Sequence, residues 1–274
     1  MDAPRFVPGH LPEPTTGDAF WAPFRKSELL VKSLADKRAR LLRTDDVKAL
    51  GLAVTHVHHV GTLEGVPCIA AALPDDAPDV EGCRYGGLRQ AYGWLPKSEL
   101  EAAMTGFQIQ YWDSHHRFCP GCGAPIAMKK AERAKRCEPC ARDFYPPVVP
   151  AVIVRVRRGD ALLMTRAPHF PSKMYGLVAG FLEPGETLEQ CVAREIREET
   201  GLVVRDVRYF GSQPWPFPHQ VMVGFTAEYE SGDIVVDKTE LEEAAWFTRE
   251  AMPQLPPPFS IARALIDDWL RSGE

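Results

Sequence analysis

Between positions 180 and 202 the chain places acids where they could hold divalent metal over a diphosphate. Glu186 is followed, after seven residues, by Arg194-Glu195-Ile196-Arg197-Glu198-Glu199-Thr200-Gly201-Leu202. Glu195, Glu198 and Glu199 stand three and four residues apart, so a helix of about 100° per residue gathers them on one face. Like charges at that spacing destabilise a helix by a few tenths of a kcal/mol per pair. Bound cations would turn the repulsion into binding. Magnesium takes oxygen ligands at about 2.1 Å, usually one or two carboxylates completed by water and substrate phosphate. The competing reading is a solvated acidic face, which is what most charge runs are.

The elements that must position these acids are legible around them. Thr187 and Gln190 form a capping box at the helix start, and Leu188, Val192 and Ile196 recur at i, i+4 and i+8 as its buried stripe. Gly180, Pro184 and Gly185 belong to the preceding loop, and Gly201 sits where a left-handed C-terminal residue is expected.

A second set of chemistry-bearing residues lies upstream. Cys119-Pro120-Gly121-Cys122 and Cys137-Glu138-Pro139-Cys140 are CxxC pairs with 14 residues between them. The spacing predicts a zinc ribbon, with four thiolates closing a tetrahedral structural site that leaves no position for substrate. One Zn2+ per chain is expected. Two disulfides are the alternative. Cys68, Cys83 and Cys191 are dispersed and no secretory leader is recognised, so a reducing cytoplasm is the expected compartment. A redox CxxC would come singly beside a βαβ pattern.

Composition permits these readings without choosing among them. At 274 residues and 45% hydrophobic content the chain can bury a substantial core, and its net charge of −5 argues against a surface built throughout for nucleic acid. No apolar run approaches the ~20 residues of a membrane helix. Charge is uneven: positions 117–142 carry seven Lys or Arg against Glu132 and Glu138, while 180–202 carry six Glu against Arg194 and Arg197. Ligation of zinc by four thiolates would leave the first segment at about +3. It could serve an anionic nucleotide or an RNA 5′ end, or be a solvated lysine-rich loop.

Three parts are expected: a small N-terminal α/β domain over 1–112, a zinc ribbon over 113–147, and a larger C-terminal domain over 148–274. Alternation predicts strands at 53–60 and 66–72, with a turn at 76–78 and a short helix at 98–107. His56, His58 and His59 lie on the period-two segment and are expected as exposed strand histidines, not ligands. Segments 150–157 and 161–166 flank Arg158-Gly159-Asp160 as a hairpin. Strands are expected at 203–210 and 221–228. A last helix is expected over 260–270, with Ile261, Ala264, Leu265 and Trp269 on one face. The order implies an α+β sandwich with helices on a mixed sheet. Ser212-Gln213-Pro214-Trp215-Pro216-Phe217-Pro218 reads as a stiff loop, since proline cannot donate to a central strand. Its fixed aromatics are either a stacking platform for a flat heterocycle or a cap on the core.

The segment from Gly180 to Leu202 resembles the Nudix box at every specified position. The sequence is therefore similar to the Nudix hydrolases, which cleave a nucleoside diphosphate linked to another group with magnesium or manganese. The proline-aromatic segment looks like the signature of the NADH pyrophosphatases, or NAD-capped RNA decapping hydrolases. In that family the signature ends in one further residue and a serine; here His219 is followed by Gln220. Ribbon, Nudix box and proline-aromatic segment occur in the family's order, over about 118–269. The resemblance implies an α/β/α Nudix sandwich and a homodimer with the site completed across its interface.

By the same resemblance Glu195 and Glu199 are metal ligands, with Glu198 a supporting ligand or base. Glu240 is an additional carboxylate, and the Ala179 carbonyl lies at the metal. More than one Mg2+ or Mn2+ is implied, while Glu186 could simply orient Arg194. Substrate contacts carried over are Gln213, Pro214, Trp215, Pro216, Phe217, Pro218, His219, Gln220, Glu132, Tyr145, Ala262 and, in the N-terminal domain, Arg89. For Tyr145 the alternative is a core position beside Phe144. The expected reaction splits NADH or NAD into a nicotinamide mononucleotide and AMP and extends to NAD caps on RNA. ADP-ribose or dinucleoside polyphosphates remain alternative substrates. A ribbon-based nucleic-acid-binding protein with an idle hydrolase domain is the alternative of another class.

Overall fold

A computed structural model describes residues 5–10, 17–168, 170–171 and 173–272. The chain forms two compact units, Met1–Pro147 and Val148–Glu274.

In the first unit the strands Thr55–Leu63 and Val66–Ala72 form an antiparallel hairpin, and the second pairs in parallel with Phe20–Arg25. The helix Lys97–His115 packs on this sheet and buries Leu100, Ala103, Ile109 and Trp112. It runs two turns beyond the expected 98–107, because Ile109 and Trp112 prolong its apolar side. Gly106 sits at the crossing, where a Cβ would lie 2.8 Å from Ala70 Cβ.

The histidine expectation needs correction. A bulge between Thr55 and His58, with His56 at φ +47, breaks the period of two on which it rested. His59 is buried, and only His56 remains largely exposed. His56 Nδ1 and His58 Nε2 each lie 3.0 Å from Asp113 Oδ2.

The second unit carries a six-stranded sheet. Its central strand, Val149–Arg158, pairs in parallel with Gln220–Ser231 and antiparallel with Ala161–Arg166 and Val178–Phe181; Val203–Trp215 and Glu243–Thr248 form the edges. Alternation along the central strand builds two cores. Val152, Val154 and Val156 pack with Cys191, Val192 and Ile196 of the helix Leu188–Thr200, hereafter the glutamate helix. Ile153 packs on the other face with Leu265, Ile266 and Trp269 of the helix Ile261–Ser272. This is an α/β/α sandwich on a mixed sheet. Ala264, expected on the inner face of the last helix, is exposed, and Ile266 takes that place.

Candidate active site

The glutamate helix begins and ends as its local sequence dictates. Gln190 N–H donates to Thr187 Oγ1 at 3.2 Å, Thr187 N–H donates to Gln190 Oε1 at 2.8 Å, and Gly201 closes the helix at φ +74. Cys191, Val192 and Ile196 anchor it to the sheet, which turns Glu195 and Glu199 inward to 8% and 5% exposure while Glu198 stays exposed. For the first two, the solvated-face reading fails.

Arg194 organises the site. Its guanidinium reaches both oxygens of Glu186, at 2.6 and 2.9 Å, and donates to Glu195 Oε1, Glu198 Oε2 and the Phe181 carbonyl, each at 2.9 Å. Glu186 therefore orients Arg194, whose contact, with help from the Glu183 N–H, holds its carboxyl down to about 2. Glu199 has the opposite environment. Burial, then the carboxylates of Glu195, Glu240, Asp237 and Glu198, push it up to about 8. Burial also raises Glu195, against the pull of Arg194. Like charges crowded out of water repel one another, so ionising this group together is costly.

Glu240 arrives from a distant loop that docks on the end of the glutamate helix. Val235 N–H donates to the Thr200 carbonyl at 2.9 Å and Asp237 N–H to the Glu199 carbonyl at 3.0 Å. Asp237 was not singled out by sequence. Its signal, an acid three residues before Glu240 at a turn, acquires meaning only once the loop meets the helix. Ala179 lies exposed on the strand Val178–Phe181, beside Gly180.

In the first unit the sulfurs of Cys119, Cys122, Cys137 and Cys140 lie within 4.8 Å of one another, fitting a tetrahedral Zn2+. Among the described residues this is the group of three or more candidate ligands gathered that tightly. The acids around Glu199 are not gathered so tightly. The ribbon's three strands, Ala127–Met128, Lys135–Cys137 and Arg142–Phe144, hold the second cysteine pair.

Family models cover most of the chain. The NUDIX domain matches residues 145–270, the NADH pyrophosphatase zinc ribbon domain matches 114–145, and the NADH pyrophosphatase-like rudimentary NUDIX domain matches 18–112. The crystal structure of a NUDIX hydrolase from Nitrosomonas europaea shares the fold, with a TM-score of 0.50 and 23% identity, covering 57% of this chain and 92% of its own. The NAD-capped RNA hydrolase NudC of Pseudomonas entomophila is 40% identical over 96% of this chain and 93% of its own length. That of Chromobacterium violaceum is 44% identical over 79% and 81%. The chain belongs to the NudC family of Nudix hydrolases.

The family's proline-aromatic segment departs from the expected loop. Gln213, Pro214 and Trp215 end the edge strand Val203–Trp215, opposite Met222, Val221 and Gln220. Pro214 is tolerated because an edge strand leaves one row of donors unpaired. Only Pro216, Phe217, Pro218 and His219 form the connection, and the His219 carbonyl accepts from Val149 N–H at 3.0 Å. Trp215 and Phe217 meet edge to face, centroids 5.0 Å apart. Gln213 accepts from Ile261 N–H and donates to the Phe259 carbonyl, both at 2.8 Å. It thereby caps the helix carrying Ala262, which packs at the rim of that core.

Glu132, Tyr145 and Arg89 belong to the first unit of this NudC relative. Tyr145 is exposed, not in the core, and its hydroxyl donates to Glu132 Oε2 at 3.0 Å. Glu132 also pairs with Lys129, which reaches Asp143 at 2.7 Å. Arg89 is exposed on the short helix Leu88–Ala91. Much of the ribbon's positive charge is engaged within its own unit. Lys135 is buried against Asp113 at 2.5 Å, Arg136 meets Asp143 at 2.9 Å, and Arg133 donates to the carbonyls of Gly9 and His59. This argues against a free basic patch.

Proposed function

We propose that the protein hydrolyses the diphosphate of NADH and NAD to a nicotinamide mononucleotide and AMP, and removes NAD caps from RNA 5′ ends. The observation that carries the reading is the buried Glu199 carboxyl, ringed by carboxylates on a helix whose Nudix pattern is complete. Relatives matching 96% and 85% of the chain are NAD-capped RNA hydrolases, which supports the substrate.

The donor set is hard oxygen throughout, which fits Mg2+ or Mn2+. Glu195, Glu199, Glu240 and the Ala179 carbonyl would hold more than one such ion. Such ions, when bound, would supply charge neutralisation for the diphosphate and lower the pKa of a water toward neutral pH. Arg194 keeps Glu195 and Glu198 aimed into the site. The water oxygen attacks phosphorus, the bridging P–O bond breaks, and a glutamate of the face takes the water's proton. Trp215 and Phe217 offer a rigid aromatic surface to a flat ring. Gln220, Glu132, Tyr145, Ala262 and Arg89 would supply further contacts. The closed cysteine site holds Zn2+ structurally. The reading divides the chain at 112/113 and 147/148, and takes the protein as a cytoplasmic homodimer.

The test is direct comparison. NADH, NAD, NAD-capped RNA, ADP-ribose and diadenosine substrates are supplied at equal concentration with Mg2+ or Mn2+, and products are identified. Nicotinamide mononucleotide and AMP are expected from the first two, and 5′-monophosphate RNA from the third. Faster turnover of ADP-ribose would replace the substrate. EDTA-insensitive RNA binding without hydrolysis of any diphosphate would replace the enzyme reading itself.

A further inference from the structure

Glu240, read above as a ligand beside Glu195 and Glu199, is exposed and has no regular secondary structure immediately on either side. Something must hold its backbone, because a carboxylate on a free loop loses much of its advantage to conformational entropy. The hydrogen bonds around Asp237 provide the restraint. Asp237 Oδ1 accepts from both Thr239 N–H and Thr239 Oγ1 at 2.8 Å, forming an Asx turn. The Asp237 carbonyl accepts from Glu240 N–H at 3.2 Å and Leu241 N–H at 2.9 Å, and its own N–H donates to the Glu199 carbonyl at 3.0 Å. Leu241 is buried as the anchor beyond the turn. The approach of the strap to the helix end is close: a Cβ on Gly232 would lie 2.9 Å from the Gly201 carbonyl oxygen.

We infer that Asp237 is a positioning residue for the hydrolytic site. Its side chain closes the turn that points Glu240 toward the glutamate helix, and its main chain fastens that turn to the peptide of Glu199. The last turn of an α-helix leaves its carbonyls without intrahelical partners. The strap supplies two of them, so the same contacts finish the helix and register the extra carboxylate. The inference rests on the reading of Glu240 as a metal ligand.

The experiment follows NADH hydrolysis against free Mg2+ for the wild type and for Glu240→Gln, Asp237→Ala, Asp237→Asn, Thr239→Val and the double variant Asp237→Ala/Glu240→Gln. Loss of an outer residue that orients a ligand typically costs 10- to 100-fold in metal affinity or activity. Asp237→Ala is expected to raise the Mg2+ concentration for half-maximal activity on the order of tenfold. It should add little on top of Glu240→Gln. Asp237→Asn keeps an oxygen for both Thr239 donors and should stay near wild type. Thr239→Val should shift the Mg2+ dependence in the same direction by less. Wild-type Mg2+ dependence in Asp237→Ala beside an impaired Glu240→Gln would overturn the inference. So would an Asp237→Asn variant as weak as Asp237→Ala, since the charge and not the turn would then matter. Should Asp237→Ala fail to fold, an unshifted Thr239→Val beside an impaired Glu240→Gln overturns it equally. An unimpaired Glu240→Gln would instead sink the ligand reading beneath it.

Discussion

Gly180 and Glu195 lie so close that a methyl group at position 180 would meet the Glu195 carboxyl: a Cβ there would be 1.9 Å from Cδ and 2.1 Å from Oε1. The glycine is needed for this approach, not for an unusual backbone angle. Gly180→Ala should keep the fold but displace Glu195 from Arg194. Misplacement by about 1 Å can cost on the order of 100-fold. Steady-state NADH turnover at saturating Mg2+ is the check, and an unchanged kcat would show that Glu195 need not occupy this position.

Glu199→Gln removes charge from the most buried acid of the site while keeping its shape. Loss of several kcal/mol of metal-borne charge stabilisation predicts a fall on the order of 10²- to 10³-fold in kcat. Circular dichroism should remain that of the wild type. Wild-type turnover would remove the metal face from the mechanism.

The raised Glu199 carboxyl also predicts how pH acts on protein that holds zinc but no Mg2+ or Mn2+. A folded-state value of about 8, above the ordinary 4.5, means the native state binds the proton more tightly than the unfolded chain. The resulting stability is fully present below about pH 4.5 and is lost as pH rises through about 8. Thermal midpoints of the wild type should therefore fall between pH 6 and 9 relative to Glu199→Gln. Mg2+ binding at pH 7 should release about one proton through this residue, and none at pH 10. Calorimetry in buffers of different ionisation enthalpy measures that release, and zero release at pH 7 would contradict the assignment.

Cys137 is fully buried in the ribbon. Cys137→Ser should lose about one zinc per chain and make the first unit the first to be cut by protease, since structural zinc contributes on the order of 10 kcal/mol to small folds. Wild-type protein purified without zinc and with four of its seven thiols oxidised, those of Cys119, Cys122, Cys137 and Cys140, would favour the disulfide alternative.

Gln213→Ala separates a helix-capping role from a substrate contact. Two hydrogen bonds at about 1 kcal/mol each predict a loss of about 2 kcal/mol in stability, read by denaturant unfolding. A raised KM for NADH at unchanged stability would instead make Gln213 a substrate contact alone.

The glutamate helix was readable almost residue by residue: Thr187, Gln190, Gly201 and the apolar side at Val192 and Ile196 all obey short-range rules of capping and periodicity. The same rules misled where long-range packing intervened. The bulge at His56 turned an apparent exposed alternation into a pair of histidines, His56 exposed and His58 largely buried, that both meet Asp113. The edge position of Val203–Trp215 allowed Pro214 inside a strand. The helix Lys97–His115 outran its expected end because the sheet beneath it continues to offer apolar contact.

By itself the sequence determined which side chains share the glutamate helix and that four cysteines come in ligand-spaced pairs, because both follow from spacing along a few turns of chain. Only the tertiary structure decided that Glu199 holds its proton to about pH 8, that Glu240 is strapped through Asp237 to that helix, and that Gln213 caps the helix Ile261–Ser272. Each of these depends on burial or on contacts between segments 38 or more residues apart, and local periodicity carries no record of such meetings.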